Sequence, residues 1–388
     1  MERGFLLSAP DGKKLSMKKH LLTLTAIAAL ASPAVAQEAP EGAPSPNEIV
    51  NTAAQEEWVA IEAEDLLVMT LAPDAQGNAR KVVIQLMPAP FSQGWTQNIR
   101  TLARAEWYDG ISVNRVQDNY VVQWGDPGYD NPESGETETK PLPDGLNVMS
   151  EADYAATGLI SVPDPRGRPR INYTLGAAMM RNAMIAANGA IELPATFTEA
   201  LESGETPPPI KLETGDAYGE LATLALGWPV TGSFGNAEEP ANQFWPVHCY
   251  GMVGVGRNYS PDTGSGAELY TVIGHAPRHL DRNIALVGRI VSGMEHLSSL
   301  PRGSGTLGFY TEEEADKRMP ILSIRVASDL PEDERPLFEY LSTESETFAR
   351  YADARANRRD PFFIVPAGGA DICNIPVPVR AFEYAEDE

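Results

Sequence analysis

Arg115 and Gln123 are the residues whose type and spacing point most directly to chemistry. They lie in the stretch Tyr108 to Pro127, reading YDGISVNRVQDNYVVQWGDP. Ile111, Val113 and Arg115 fall at alternate positions, which predicts a strand whose guanidinium points the same way as two β-branched side chains. Gln117, Asp118 and Asn119 read as a short turn into a second strand, Tyr120 to Trp124, on which Val121 and Gln123 share a face. Gly125, Asp126 and Pro127 end that strand. Two neighbouring strands then offer one charged donor, one amide and an apolar floor. Such a surface suits a peptide-sized ligand with a carbonyl to hold.

Other chemistries find little support. His275 and His279 lie four apart, but Pro277 between them disfavours a helical metal pair, so no metal site is indicated. Gly251, Gly254 and Gly256 lack the spacing and the βαβ context of a phosphate-binding loop. The chain has no G-x-S-x-G nucleophile elbow. Neither Cys249 nor Cys373 has the C-x-x-C neighbour of a redox enzyme.

The stretch around Arg115 resembles the cyclophilin family of peptidyl-prolyl cis-trans isomerases. Arg115, Tyr120, Val121, Gln123, Gly125 and Asp126 stand in the register of that family's pattern. A second block, His248 to Met294, looks like its pocket strand, polar loop, aromatic strand and closing strand. A third, Lys81 to Gly110, is similar to its second strand and first helix. The resemblance implies a mainly β fold: a closed antiparallel barrel capped by helices, with a long inserted segment and a C-terminal helical and strand extension. It implies isomerase activity on proline-containing, unfolded or exported polypeptides, without metal or organic cofactor. Arg115 and Gln123 take the catalytic positions. Tyr120, Val121, Gly256, Glu268, Tyr270, His279, Leu280 and Ile284 take the substrate-binding ones.

Several positions depart from the family pattern. Ile284 stands where the pocket His is expected, His279 at the loop Trp, Val121 at a Met, Glu268 at a Gln and Gly256 at a small Ala. Loss of the His and the Met makes the pocket shallower and less polar. The departures leave open a rival function, a chaperone or scaffold that binds proline-containing segments without turning them.

The elements that must position these residues can be read in part. Asp65 to Leu71 and Lys81 to Met87 are apolar strands joined by a turn with Asp74 and Gly77, and a helix is expected near Thr96 to Ala105. The insertion, about 128–245, opens rich in Gly and Pro, carries a helical pattern from Leu175 to Asn188 with Met179 and Met180, and continues through PPPIK at 207–211 and the loop-like WPVTGSFG. A strand from Ile321 to Ala327 should close the barrel. Residues 331–360 read as one or two helices, and Cys373 to Val379 as a last strand.

From Met17 the chain runs MKKHLLTLTAIAALASPAVAQ, two lysines, an apolar run and Ala34-Val35-Ala36. This is the pattern of a secretory signal cleaved before Gln37, with Met17 the true start, and points to the periplasm. The expected organisation is a signal peptide at 1–36, a flexible linker at 37–62, a cyclophilin-like domain at 63–327 and an extension at 328–388. Without residues 1–36 the chain holds 25 basic against 52 acidic groups, about −27. Such a charge disfavours nucleic acid and anionic membrane surfaces. The mature chain should not insert in a membrane, and its oligomeric state is not legible. Cys249 and Cys373 are an even pair in an oxidising compartment, a disulfide candidate closing about 125 residues. The alternative is two buried thiols that never meet.

Overall fold

The computed structural model describes residues 42–126, 128, 135, 138–157, 216, 218–233, 242–367 and 369–382. The signal segment, the helical pattern at 175–188 and PPPIK lie outside them. A short strand β1 (Trp58–Ala60) precedes β2 (Leu66–Leu71), β3 (Arg80–Leu86), β4 (Ser112–Val116) and β5 (Val121–Gly125). Then come β6 (Ala156–Thr157), β7 (Leu221–Ala225), β8 (Trp228–Ser233) and β9 (Gln243–Pro246). The chain continues through β10 (Met252–Val255), β11 (Leu269–Val272), β12 (Leu286–Ser292), β13 (Ile321–Val326), β14 (Phe338–Leu341) and β15 (Val379–Ala381). The helices are α1 (Pro46–Asn51), α2 (Gln93–Arg104), α3 (Glu295–Ser298) and α4 (Glu346–Ala356).

Eight strands form one antiparallel sheet in the order β13-β2-β3-β12-β10-β11-β5-β4. Its two ends meet. Val113 N–H donates to the Met319 carbonyl at 2.9 Å, Ile321 N–H to Ile111 at 2.8 Å and Gly110 N–H to Ile321 at 3.0 Å. Closure leaves no long exposed edge on the barrel. Period-two alternation separates its two faces: Leu67, Met69, Leu71, Val82, Ile84 and Leu86 point into the core, while Leu66, Val68 and Val83 point out.

α2 packs against that core because Trp95, Ile99 and Leu102 fall one turn apart and are wholly buried. Burying each such side chain contributes about 1.5–3 kcal/mol. The outward face of β2 and β3 is covered by Phe338, Tyr340 and Val379 of the sheet β1-β14-β15. A third sheet, β6-β9-β8-β7, brings Trp228, Val230 and Phe244 into one apolar cluster with Met252, Leu286, Phe348 and Tyr351.

Four expectations are corrected. Residues 46–60 carry α1, a 3-10 turn at Gln55–Glu57 and β1 instead of a flexible linker, because Ile49 and Trp58 have an apolar cluster to join. WPVTGSFG holds strand β8, since Leu226 and Gly227, both at positive φ, turn β7 back into it as a two-residue hairpin. The segment after Pro331 gives β14 before its single long helix, α4, because Phe338 is needed to cover the barrel. The last strand falls at Val379–Ala381, with a 3-10 turn at Ile372–Asn374. Cys249 and Cys373 are bonded to each other, at a sequence separation of 124.

Candidate active site

β4 and β5 pair antiparallel, and the register shifts between Val113 and Arg115. This bulge corrects the simple alternation expected of the strand. Ile111, Val113 and Val116 all face the core, and the extra residue Asn114 turns Arg115 away from them. On β5 the alternation holds: Val122 and Trp124 enter the core, while Val121 and Gln123 lie on the opposite face. Asn119, at φ 51°, takes the left-handed position in the connecting turn, which asparagine tolerates.

Three carbonyl oxygens fix the plane of the Arg115 guanidinium. Nε donates to the Leu307 carbonyl at 2.8 Å, Nη1 to Oε1 of Gln123 at 3.1 Å and Nη2 to Oε1 of Gln117. Its Cζ lies 5.6 Å from the Tyr120 ring centre and 5.3 Å from that of Phe309. Leu307 is itself at φ 56°, a left-handed conformation costing a non-glycine residue about 1–2 kcal/mol. Its loop is held to the barrel by the bridge between Phe309 and Arg115.

Beside the guanidinium lies an apolar patch. Val121, Tyr270 and Val272 form its buried floor, and Tyr120, Leu280 and Ile284 pack around them. His279 stacks on Tyr120 with ring centres 6.3 Å apart. Tyr270 fits because Gly254 has no side chain: a Cβ there would meet its hydroxyl at 2.3 Å. Gly256 gives the same clearance to Glu268 and lies next to Nε2 of Gln123. All ten residues that the resemblance singled out therefore come together. Glu268 stands behind Gln123, 2% exposed.

The sequence reading missed what lies beneath the floor. The Tyr270 hydroxyl is 2.9 Å from Nε2 of His248, whose Nδ1 is 2.8 Å from Oδ1 of Asp281. That oxygen also accepts from the His248 backbone N–H at 3.0 Å. With Nδ1–H donating to the carboxylate, Nε2 of a neutral imidazole accepts from the tyrosine. Oδ2 of Asp281 takes Nε of Arg278 at 2.6 Å, and Nη2 of Arg278 reaches Asp216 at 2.9 Å. No local motif marks this chain, because His248 and Tyr270 meet only through the pairing of β10 with β11. Burial pushes the Tyr270 hydroxyl far above the ordinary tyrosine range and lifts the Glu268 carboxyl well above the carboxylate range. Among the described residues no group of three His, Cys, Asp or Glu could hold a metal ion, and no helix is long and apolar enough to cross a membrane.

The site is thus a closed antiparallel barrel with an arginine, an amide and an apolar floor on one face. The family model described as cyclophilin-type peptidyl-prolyl cis-trans isomerase/CLD matches residues 78–326. The chain belongs to that family. Among solved structures it is similar to cyclophilin AquaCyp293 from Hirschia baltica, at TM-score 0.53 and 17% identity, over 85% of this chain and 95% of that one. This likeness supports the barrel fold. A cyclophilin-type isomerase of Cryptosporidium parvum, crystallised in the presence of the dipeptide Ala-Pro, also matches, at TM-score 0.30 and 8% identity, over 67% of this chain and 97% of that one. No curated protein sequence matches the chain. The protein is a peptidyl-prolyl cis-trans isomerase by family.

Proposed function

We propose that the protein turns X-Pro bonds of exported polypeptides in the periplasm, with Arg115 stabilising the twisted amide. The barrier to be lowered is the amide resonance, about 18–20 kcal/mol. No covalent step is required. The patch of Val121, Tyr270, Leu280 and Ile284 takes the proline ring, and Gln123 holds a neighbouring carbonyl. The prolyl nitrogen gains a lone pair only as the bond twists, so a guanidinium aimed at it favours the transition state over both planar forms. A thousandfold acceleration needs about 4 kcal/mol of such preference. What carries the reading is the fixed orientation of Arg115, held by three carbonyl oxygens beside an apolar floor. The location is supported by the secretory pattern that starts at Met17.

Ile284, apolar where the family places a histidine, favours a second reading, a binder that holds proline segments without isomerising them. An isomerisation assay on a short X-Pro peptide separates the two, with Arg115→Lys alongside. Acceleration lost in the variant with peptide binding retained supports the enzyme. A wild type that binds but never accelerates supports the binder.

A further inference from the structure

Glu268 precedes β11, and its carboxyl lies against the bare backbone of Gly125, where a Cβ would approach Oε1 to 1.9 Å. Oε2 is 3.5 Å from Nε2 of Gln123, whose Oε1 accepts from Arg115. The Gln123 amide is therefore set from both ends. Oε1 of Glu268 is buried and finds no partner among the described residues, and Oδ1 of the neighbouring Asn114 is in the same position. Adjacent buried acceptors with no donor are costly to leave so. A single proton changes the count, because a carboxylic acid donates from one oxygen and still accepts on the other.

We propose that Glu268 is a neutral acid in the folded protein, a positioning residue that holds Gln123 and, through it, Arg115. It then does the work of the glutamine that the family pattern places there. The ionisable groups facing it are Asp126 from the end of β5, Tyr108 from the segment after α2 and, across Gln123, Arg115 of β4. Burial is the largest influence on its acidity, and the Asp126 charge adds repulsion in the same direction. Together they outweigh the Gln123 amide, the Asp126 backbone N–H and the Asn114 amide, which favour the charged form. A free glutamate loses its proton near about pH 4.3. Below that value folded and unfolded chains both hold it. Above it the unfolded chain ionises first, so stability falls with rising pH until the folded carboxyl ionises as well.

The test is thermal unfolding and kcat/KM from about pH 5 to about pH 9 for wild type, Glu268→Gln and Glu268→Ala. The wild type should lose several degrees of Tm as pH rises, and Glu268→Gln should lack that slope. Its kcat/KM should stay flat where the wild type declines at the alkaline end. Glu268→Ala, with Gln123 unsupported, should lose about tenfold in kcat/KM at every pH. Parallel Tm curves for wild type and Glu268→Gln would overturn the proposal. Should Glu268→Gln fail to fold, the infrared carbonyl band of a protonated carboxyl in the wild type decides, and its absence at neutral pH counts against the proposal. The kcat/KM measurements alone rest on the isomerase reading. A wild type inactive throughout would sink that reading, while the unfolding curves still decide the state of Glu268.

Discussion

The Tyr270 hydroxyl lies 2.9 Å from Nε2 of His248, so the floor of the pocket hangs from a buried histidine. The same Asp281 that orients His248 sits in the segment carrying Leu280 and Ile284. Floor and wall thus share one anchor. His248→Leu would leave the buried Tyr270 hydroxyl without its partner and take one of three donors from Asp281, and should cost about 2–4 kcal/mol in urea unfolding. KM should rise more than kcat falls. A double-mutant cycle with Tyr270→Phe should show about 1 kcal/mol of coupling, and additive losses would mean the contact is incidental.

Ile284, which the sequence resemblance aligns with the family histidine, packs on the floor with Leu280. Ile284→His should return a polar contact at the pocket edge and raise kcat/KM by up to about tenfold, at a cost below about 1.5 kcal/mol in stability. An isomerisation rate that stays flat in this variant would show that the missing histidine does not limit activity.

Arg289 is buried with no ion-pair partner among the described residues. It donates to Gln85 and to the Gly227 carbonyl, both at 2.8 Å, with its guanidinium 4.5 Å from the Trp228 ring and 5.8 Å from Tyr340. It therefore ties β3 and β12 to the β7–β8 hairpin and to β14. Arg289→Lys keeps the charge but loses the fork and the stacking, and should cost about 2–3 kcal/mol. Burial lowers its pKa to about 10, below that of a free arginine. The unfolded chain then binds the extra proton above that value, so this residue's contribution improves as pH rises through about 10. Chemical denaturation at neutral and alkaline pH reads both effects.

Cys373→Ser removes the tether between the loop joining β9 to β10 and the C-terminal segment. For a loop of this length the chain-entropy treatment gives about 4–5 kcal/mol, a large share of a typical domain's stability. The expected result is a markedly lower Tm and new proteolytic cleavage after α4, with isomerase activity retained at low temperature. Equal cleavage patterns for wild type and variant would contradict this.

The facing of Gln123 is legible because β5 obeys strict alternation, whereas Arg115 reaches the same face only through the bulge in β4. The bulge at Asn114 was hidden, since nothing in SVNRV distinguishes two core valines three apart from a regular strand. Trp95, Ile99 and Leu102 announced α2 through their spacing. PEDERPLFEYL reads as helix because it opens with acids and helix formers, whereas the strand state of β14 comes from pairing with β1 and β15. Pro229 and Gly232 suggest a break where β8 forms, and Leu226-Gly227 is an uncommon hairpin turn. The chain from Tyr270 to Asp216 depends on residues far apart in sequence, which composition and periodicity cannot join.

Cys249 emerges from the ribosome 124 residues ahead of Cys373, and all eight barrel strands are synthesised before the second cysteine appears. The barrel is therefore free to assemble while Cys249 is still a thiol, with the covalent seal added to a finished wall. Since the chain has only two cysteines, it offers itself no wrong pairing. The mispairing open to it during biogenesis is with another molecule, and in the finished fold, with the C-terminal segment packed on it, Cys249 is 6% exposed.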